Sequence, residues 1–123
     1  MPDCAPLKLL VVDDHAAFRA AVRQVVEDLS VLVIEAASGE EAVTRYAAER
    51  PDWVLMDLRM PGMGGLKAAQ AIRELAPDAR VVVMSQVQGP EYAEQARSAG
   101  ATDFLNKEDL IRLRAILDPR SAD

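Results

Sequence analysis

The chain has a single cysteine, few aromatic side chains and no long apolar run. Cys4 has no second cysteine to pair with, so an internal disulfide is excluded and a redox function is not indicated. No apolar stretch approaches the roughly twenty residues that a membrane-spanning helix requires. The one tryptophan, Trp53, is interpreted as core filling rather than as part of a cofactor site. These absences exclude membrane-embedded and disulfide-stapled classes of protein.

Acidic residues outnumber basic ones, with 20 Asp and Glu against 14 Lys and Arg. The formal net charge is −6, which argues against non-specific binding of nucleic acid or anionic membranes by this domain alone. The first residues lack the basic and apolar segments of a secretory signal, so we expect a cytoplasmic location. A chain of 123 residues fits one domain. We expect an N-terminal extension at residues 1–6, one folded domain at 7–118 and a C-terminal tail at 119–123.

Five short apolar runs alternate with segments of helical period. The runs are rich in Val, Leu and Ile, which is typical of strands buried on both faces of a parallel sheet. They are Leu7–Val12, Val31–Ala36, Trp53–Met56, Val81–Met84 and Asp103–Leu105. The alternation predicts an α/β domain with a five-stranded parallel sheet and helices on both faces. The natural strand order is 2-1-3-4-5, with a crevice at the carboxyl ends of strands 1 and 3.

The helical segments carry their own start and stop signals. Ser38 and Glu41 form a predicted capping box at the start of the second helix. The third helix is predicted from about Gly65 to Leu75. The fourth is expected to be entered through Gly89 and Pro90 and to end near Gly100, since glycine suits a left-handed position after a helix. A fifth, short segment carries Leu110, Leu113 and Leu117 and is stopped by Pro119.

Polar side chains follow four of the predicted strands. They are Asp13 and Asp14, Asp57, Ser85 and Lys107. Carboxylates brought within a few ångströms repel by roughly 4 kcal/mol per pair at an intermediate dielectric constant, so the pattern predicts a bound cation. Mg²⁺ prefers such partly hydrated carboxylate sites. The hydroxyl of Ser85 and the ammonium of Lys107 would then hold the oxygens of a phosphoryl group.

Each of these residues also has a plainer interpretation. Asp13 and Asp14 would by themselves read as a strand end followed by a helix cap, and Asp57 as a turn residue before Pro61. Ser85 and Lys107 would by themselves read as solvated side chains. Only their joint placement at one edge of the sheet favours a site. His15 is interpreted as a surface residue near acidic neighbours and is left out of the predicted site.

The motifs together resemble the receiver domain of bacterial two-component response regulators. The resemblance covers residues from about Lys8 to Leu117. It rests on the segments 11–15 (VVDDH), 56–65 (MDLRMPGMGG), 84–85 (MS) and 99–107 (AGATDFLNK). The resemblance implies the flavodoxin-like receiver fold. The segment DDH and the absence of proline after Lys107 resemble the subclass whose output is a helix-turn-helix DNA-binding domain, which is not expected within these residues.

The resemblance implies a role for each site residue. Asp57 would accept a phosphoryl group from the phosphohistidine of a histidine kinase or phosphotransfer protein. Asp14, Asp57 and the backbone carbonyl of Arg59 would ligate Mg²⁺, with Asp13 acting mainly through water. Ser85 and Lys107 would grip the acyl phosphate, and Phe104 would be the aromatic switch that follows Ser85. The face of the fourth helix, fifth strand and fifth helix would change shape, to be read by partners or by a second copy in a homodimer.

Two other functions stay open at this point. An aspartate-dependent phosphatase or phosphotransferase acting on small phosphoesters would need a second Asp two residues after the nucleophile, where the chain has Arg59. A flavodoxin-like cofactor binder would need a Ser/Thr/Gly-rich phosphate loop after the first strand, where the chain has two acidic residues. The expected activity is therefore a signalling switch, either as a single-domain regulator or as the receiver part of a transcriptional response regulator. No enzymatic reaction is expected beyond phosphorylation and dephosphorylation of its own Asp57.

Overall fold

The computed structural model describes residues 7–86 and 90–117. The predicted extension with Cys4, Gly89 at the entry to the fourth helix, and the predicted tail with Pro119 lie outside these ranges. The strands are β1 Leu7–Val12, β2 Val31–Ala36, β3 Trp53–Asp57, β4 Val81–Ser85 and β5 Asp103–Asn106. The helices are α1 Ala16–Val26, α2 Gly39–Glu49, α3 Gly65–Leu75, α4 Pro90–Ser98 and α5 Arg112–Leu117.

The five strands form one parallel sheet in the order β2-β1-β3-β4-β5, which confirms the predicted topology. Two apolar clusters cover its two faces. On one face, α1 and α5 pack through Val22, Val26, Leu113 and Leu117. On the other, α2, α3 and α4 pack through Tyr46, Ile72 and Ala96 together with other small residues. The sheet is therefore buried on both sides, and its polar chemistry is confined to the strand ends.

Three strands run one residue beyond their predicted ends. Parallel pairing continues through Asp57, which pairs with Met84, and through Ser85, which pairs with Asn106. The strand ends were predicted from runs of apolar side chains, which stop at the first polar residue. The backbone hydrogen bonds of the sheet do not depend on side-chain polarity and continue one residue further. The predicted site residues Asp57 and Ser85 are thus held in the sheet itself rather than in the following loops.

The predicted helix ends are largely confirmed. Ser38 Oγ accepts the Glu41 N–H at 3.1 Å, but the Glu41 carboxylate accepts from Ala37 N–H at 2.9 Å, one residue before the cap. Gly100 follows α4 with φ of 91°, in the left-handed region that favours glycine. The fifth segment is shorter than predicted, because the Asn106 side chain accepts the Glu108 N–H at 2.8 Å and begins a 3₁₀ turn at Lys107–Asp109.

None of the helices in the described part of the chain has both the length and the apolar character needed to span a bilayer.

Candidate functional site

Asp13 and Asp57 lie side by side at the carboxyl edge of the sheet. Asp13 follows β1, and its backbone N–H donates to Ala36 O at 3.1 Å, which extends the ladder with β2. Asp57 is the last residue of β3. β2 and β3 flank β1 on opposite sides, so the connections that follow β1 and β3 leave the sheet in opposite directions. The crevice between these two connections is the usual ligand site of such a sheet.

The buried polar side chains of the described residues are all in this region. Asp13 is 0% exposed, Ser85 is 2% exposed and Asp57 is 4% exposed. Every other residue classed as buried in residues 7–86 and 90–117 is apolar, glycine or proline. Burying polar groups costs free energy unless they are paired, so their concentration at one edge is more consistent with a site than with chance.

Lys107 contacts both Asp13 and Asp57, although it follows β5, the edge strand of the sheet. It begins the turn after β5, and its Nζ lies 2.7 Å from Asp13 Oδ2 and 3.4 Å from Asp57 Oδ2. The Phe18 ring centroid is 4.5 Å from the same nitrogen. One ammonium, nearly excluded from solvent, therefore bridges two carboxylates whose residues are far apart along the chain.

A cavity of about 220 Å³ opens beside these groups. It is lined by His15, Asp57, Arg59, Ser85, Gln86 and Lys107. Ser85 reaches it from the end of β4, next to β3 in the sheet. The cavity thus presents one carboxylate, one hydroxyl and one ammonium to the same small volume, which is the arrangement predicted for binding a phosphoryl group.

Burial raises the pKa of the Asp57 carboxyl above its ordinary value, and the charge of neighbouring Asp13 raises it further. The ammonium of Lys107 and the Arg59 N–H, which lies 3.3 Å from Asp57 Oδ1, act in the opposite direction. The carboxyl therefore sits in a partly dry environment where a further cation would be stabilising.

Asp14 and His15 lie at the outer rim of the site. His15 Nδ1 is 3.2 Å from Asp14 Oδ1 and 3.3 Å from Asp13 Oδ1, and the Asp13 carboxylate also accepts the His15 N–H at 2.8 Å. Ligand atoms of these three residues lie within 4.8 Å of one another. The sequence interpretation left His15 out. Its side chain is exposed among acidic neighbours, as expected, but it also lines the cavity.

Phe104 is not at this cavity. It is partly buried on β5 and lines a separate pocket of about 330 Å³ between α4 and β5. Ala93, Ala96 and Arg97 of α4 form the opposite wall of that pocket. The predicted role of Phe104 as a switch stays a prediction, as does the metal-binding role of the Arg59 carbonyl.

The chain matches the family described as the response regulator receiver domain over residues 9–118. It belongs to this family. The receiver domain shares 35% identity with response regulator GacA of Pseudomonas syringae pv. syringae over 103 residues, which are 82% of this chain and 48% of GacA. The chain therefore spans about half the length of the curated relatives it matches.

Solved structures of the same fold agree. A two-component response regulator of the LuxR family from Aurantimonas has a TM-score of 0.87 and 33% identity, covering 95% of this chain and 86% of that one. The CheX-CheY-BeF₃-Mg²⁺ complex from Borrelia burgdorferi matches with a TM-score of 0.82 and 26% identity, covering 91% of this receiver domain and 89% of that chain. The receiver fold predicted from the motifs is confirmed.

The donor atoms of this receiver domain fit a hard divalent cation. The site offers carboxylate oxygens from Asp13, Asp14 and Asp57, and Mg²⁺ prefers such oxygen ligands. Asp57 lies deep and Asp14 lies at the exposed rim, so a partly hydrated ion would find both protein and water ligands. Burial and the Asp13 charge raise the pKa of Asp57 because they disfavour its charged form, and a bound cation would favour that form.

Proposed function

We propose that this receiver domain is a phosphorylation-activated switch that accepts a phosphoryl group on Asp57 in a Mg²⁺-dependent reaction. The observation that carries the proposal is the concentration of buried polar groups at one edge, where Asp57, Asp13 and Ser85 are buried and Lys107 bridges the two carboxylates. The donor would be a phosphohistidine on a histidine kinase or phosphotransfer protein. The P–N bond of the donor breaks as a P–O bond forms to a carboxylate oxygen of Asp57.

The residues of the cavity would have distinct parts in this transfer. Lys107 contacts Asp57 Oδ2 already and would neutralise charge on the transferred group. The Ser85 hydroxyl, buried at the end of β4, would donate to another phosphoryl oxygen. Ser85 is the last residue of β4 and Lys107 directly follows β5, so the sheet positions both side chains beside Asp57.

Asp14, Asp57 and the backbone carbonyl of Arg59 would hold Mg²⁺, with Asp13 acting mainly through water. When bound, the ion would offset the negative charge that accumulates among the carboxylates and the phosphoryl oxygens. Asp13 is already engaged by Lys107 at 2.7 Å and by the His15 N–H, which supports an indirect role for it.

The response would pass to the face formed by α4, β5 and α5. Phe104 lies on this face and lines the pocket beneath α4, so its ring would be the element that moves when Ser85 is drawn to the phosphoryl group. We further propose that residues 7–118 form the receiver unit of a longer cytoplasmic regulator, that a partner or a second copy reads this face, and that the domain itself contacts neither DNA nor membrane.

Incubation with acetyl phosphate and Mg²⁺, followed by intact-mass measurement, tests the proposal. We expect one labile phosphoryl adduct in the wild type, none in Asp57→Asn, and an unchanged adduct in Asp78→Asn, a matched control at an exposed loop aspartate. An adduct that persists in Asp57→Asn would falsify the assignment. Sustained turnover of a generic phosphatase substrate would instead support the small-molecule phosphatase, which no contact in the described residues favours.

A further inference from the structure

Arg59 connects the wall of the cavity to helix α4. It stands two residues after Asp57 and lines the same cavity. Its guanidinium donates from Nη2 to the hydroxyl oxygen of Tyr92 at 3.1 Å, and its Cζ lies 5.7 Å from the centroid of the Tyr92 ring. Within the described residues no carboxylate side chain lies at ion-pair distance from this guanidinium. Its partner is a neutral phenol on another element.

The Tyr92 ring is held in place by packing against the apolar core. Tyr92 lies in the first half of α4, and its partly buried ring packs against the apolar cluster that covers the sheet on that side. The ring is therefore anchored on the apolar cluster, and its hydroxyl contacts Arg59. Arg59, by contrast, is an exposed side chain in the loop between β3 and α3 and is free to adopt other rotamers at low cost.

We propose that, when Asp57 is phosphorylated, the Arg59 guanidinium gives up its hydrogen bond to the Tyr92 hydroxyl and binds the phosphoryl group instead. Tyr92 is then a positioning residue, because its contact with Arg59 opposes phosphorylation and links it to α4. This inference rests on the proposed function. A phosphoryl group adds about two negative charges and three acceptor oxygens beside Arg59, whereas Tyr92 offers one neutral acceptor. Arg59 is a charged donor in both contacts, but only the phosphoryl group also carries an opposite charge, so Coulomb attraction favours the exchange.

The exchange has a reciprocal consequence. If the phosphoryl group weakens the Arg59–Tyr92 contact by some factor, that contact must weaken binding of the phosphoryl group by the same factor. Removing the Tyr92 hydroxyl should therefore tighten binding of a phosphoryl mimic, although this hydroxyl never touches the mimic. The effect should require Arg59, because Arg59 is the only link in the described structure between that hydroxyl and the cavity lining.

The test is a double-mutant cycle with fluoroberyllate as the phosphoryl mimic at constant Mg²⁺, using ¹⁹F NMR to measure the dissociation constant. Tyr92→Phe keeps the ring and removes the hydroxyl, and it should bind about three- to five-fold tighter, the size expected for one hydrogen bond. Arg59→Met should bind about five- to ten-fold weaker, because a charge-assisted contact is lost. Tyr92→Phe should have no further effect in the Arg59→Met background.

Tyr46→Phe is the matched control. Tyr46 also lies under an arginine, with Arg50 Cζ 5.5 Å from its ring centroid, but it is on α2 and does not line the cavity. Its fluoroberyllate affinity should equal that of the wild type. Far-UV circular dichroism and thermal unfolding of all variants establish that affinity changes are not losses of fold.

The possible failures are distinguishable. Equal affinities for the wild type and Tyr92→Phe, or the same tightening with and without Arg59, would overturn the exchange while leaving the proposed function intact. Absence of fluoroberyllate binding by the wild type would overturn the proposed function, and the exchange would be refuted with it.

Discussion

At the scale of single residues, Asp57 occupies an electrostatically unfavourable position. Its carboxyl is almost fully buried, lies beside a second buried carboxylate, and is only partly compensated by Lys107 and by one backbone N–H. Functional groups are commonly held in such unfavourable surroundings, because the binding of a ligand or the chemical step relieves the cost. The cost should be measurable as reduced stability without Mg²⁺.

Asp57→Asn should stabilise the protein in Mg²⁺-free buffer. Because burial raises the folded-state pKa of this carboxyl above its unfolded value, its contribution to stability is complete below the ordinary aspartate pKa of about 3.9 and declines as pH rises through the folded pKa. At neutral pH we expect a gain of about 1 kcal/mol, or roughly 4 °C in melting temperature for a domain of this size. The gain should shrink on acidification. A lower melting temperature for the variant at pH 7 would contradict this view.

The contact between Phe18 and Lys107 leads to a second prediction at the scale of single residues. The Phe18 ring lies 4.5 Å from Lys107 Nζ, a geometry in which the ring attracts the ammonium and restrains it next to Asp57. Phe18→Leu should weaken fluoroberyllate binding about two- to five-fold, which is the size of a modest cation–π contact. Phe18→Tyr, which keeps an aromatic face, serves as the control and should stay close to the wild type. Equal loss in both variants would indicate a packing effect instead.

At the scale of elements, α1 is tied to β2 by a cluster of charges that also supports the site. Arg19 donates to the Glu35 carboxylate at 2.7 Å and to the backbone oxygen of Asp13 at 2.6 Å, and Arg23 donates to the same carboxylate. Glu35 therefore holds the arginine that braces the loop after β1. The two arginines, chiefly Arg23, lower the pKa of the Glu35 carboxyl.

Glu35→Gln should destabilise the protein by about 1 kcal/mol at neutral pH, the upper end for a partly exposed pair. Since the folded-state pKa is lowered, the contribution of this carboxylate is complete above the ordinary glutamate pKa of about 4.3 and is lost as pH falls through the folded value. Urea unfolding at several pH values would measure both effects. Glu94→Gln is the control, because the Glu94 and Arg97 side chains are both strongly exposed and their pair should contribute almost nothing. A loss that does not change with pH would contradict the electrostatic origin.

The elements also show how far sequence patterns reach. All five strands and their order follow from apolar runs and from the crossover rule, because burial on two faces leaves an unmistakable pattern. The patterns did not predict that β3 and β4 extend through Asp57 and Ser85, since backbone pairing carries no side-chain signal. The 3₁₀ turn before α5 was also missed, because it depends on one hydrogen bond that the Asn106 side chain accepts from the Glu108 N–H.

At the scale of the whole molecule, the fold separates stability from function. Apolar clusters cover both faces of the sheet, and the buried polar residues of the described chain gather at one edge. The sequence predicted this edge and most of its residues, because parallel strands bring their carboxyl ends together. It could not predict the contacts of Arg59 with Tyr92 or of Lys107 with Phe18, because side-chain positions depend on how separate helices pack over the sheet.

Mg²⁺ should stabilise the whole domain. An ion that binds only the folded state at ten times its dissociation constant adds about 1.4 kcal/mol, which corresponds to roughly 5 °C in melting temperature. Thermal unfolding with MgCl₂, compared with NaCl at equal ionic strength, measures this effect apart from screening of the net charge of −6. Asp14→Asn should lose most of the increase. The same increase in NaCl would mean that no specific ion is bound.

Direct localisation of the phosphoryl group is the decisive measurement. After treatment with acetyl phosphate and Mg²⁺, borohydride reduces an acyl phosphate to an alcohol, so the modified aspartate becomes homoserine and can be found by peptide sequencing in a mass spectrometer. The convergence of Lys107, Ser85 and the two buried carboxylates predicts homoserine at position 57 alone. Homoserine at position 13 or 14, or spread over exposed aspartates such as Asp78, would contradict the account.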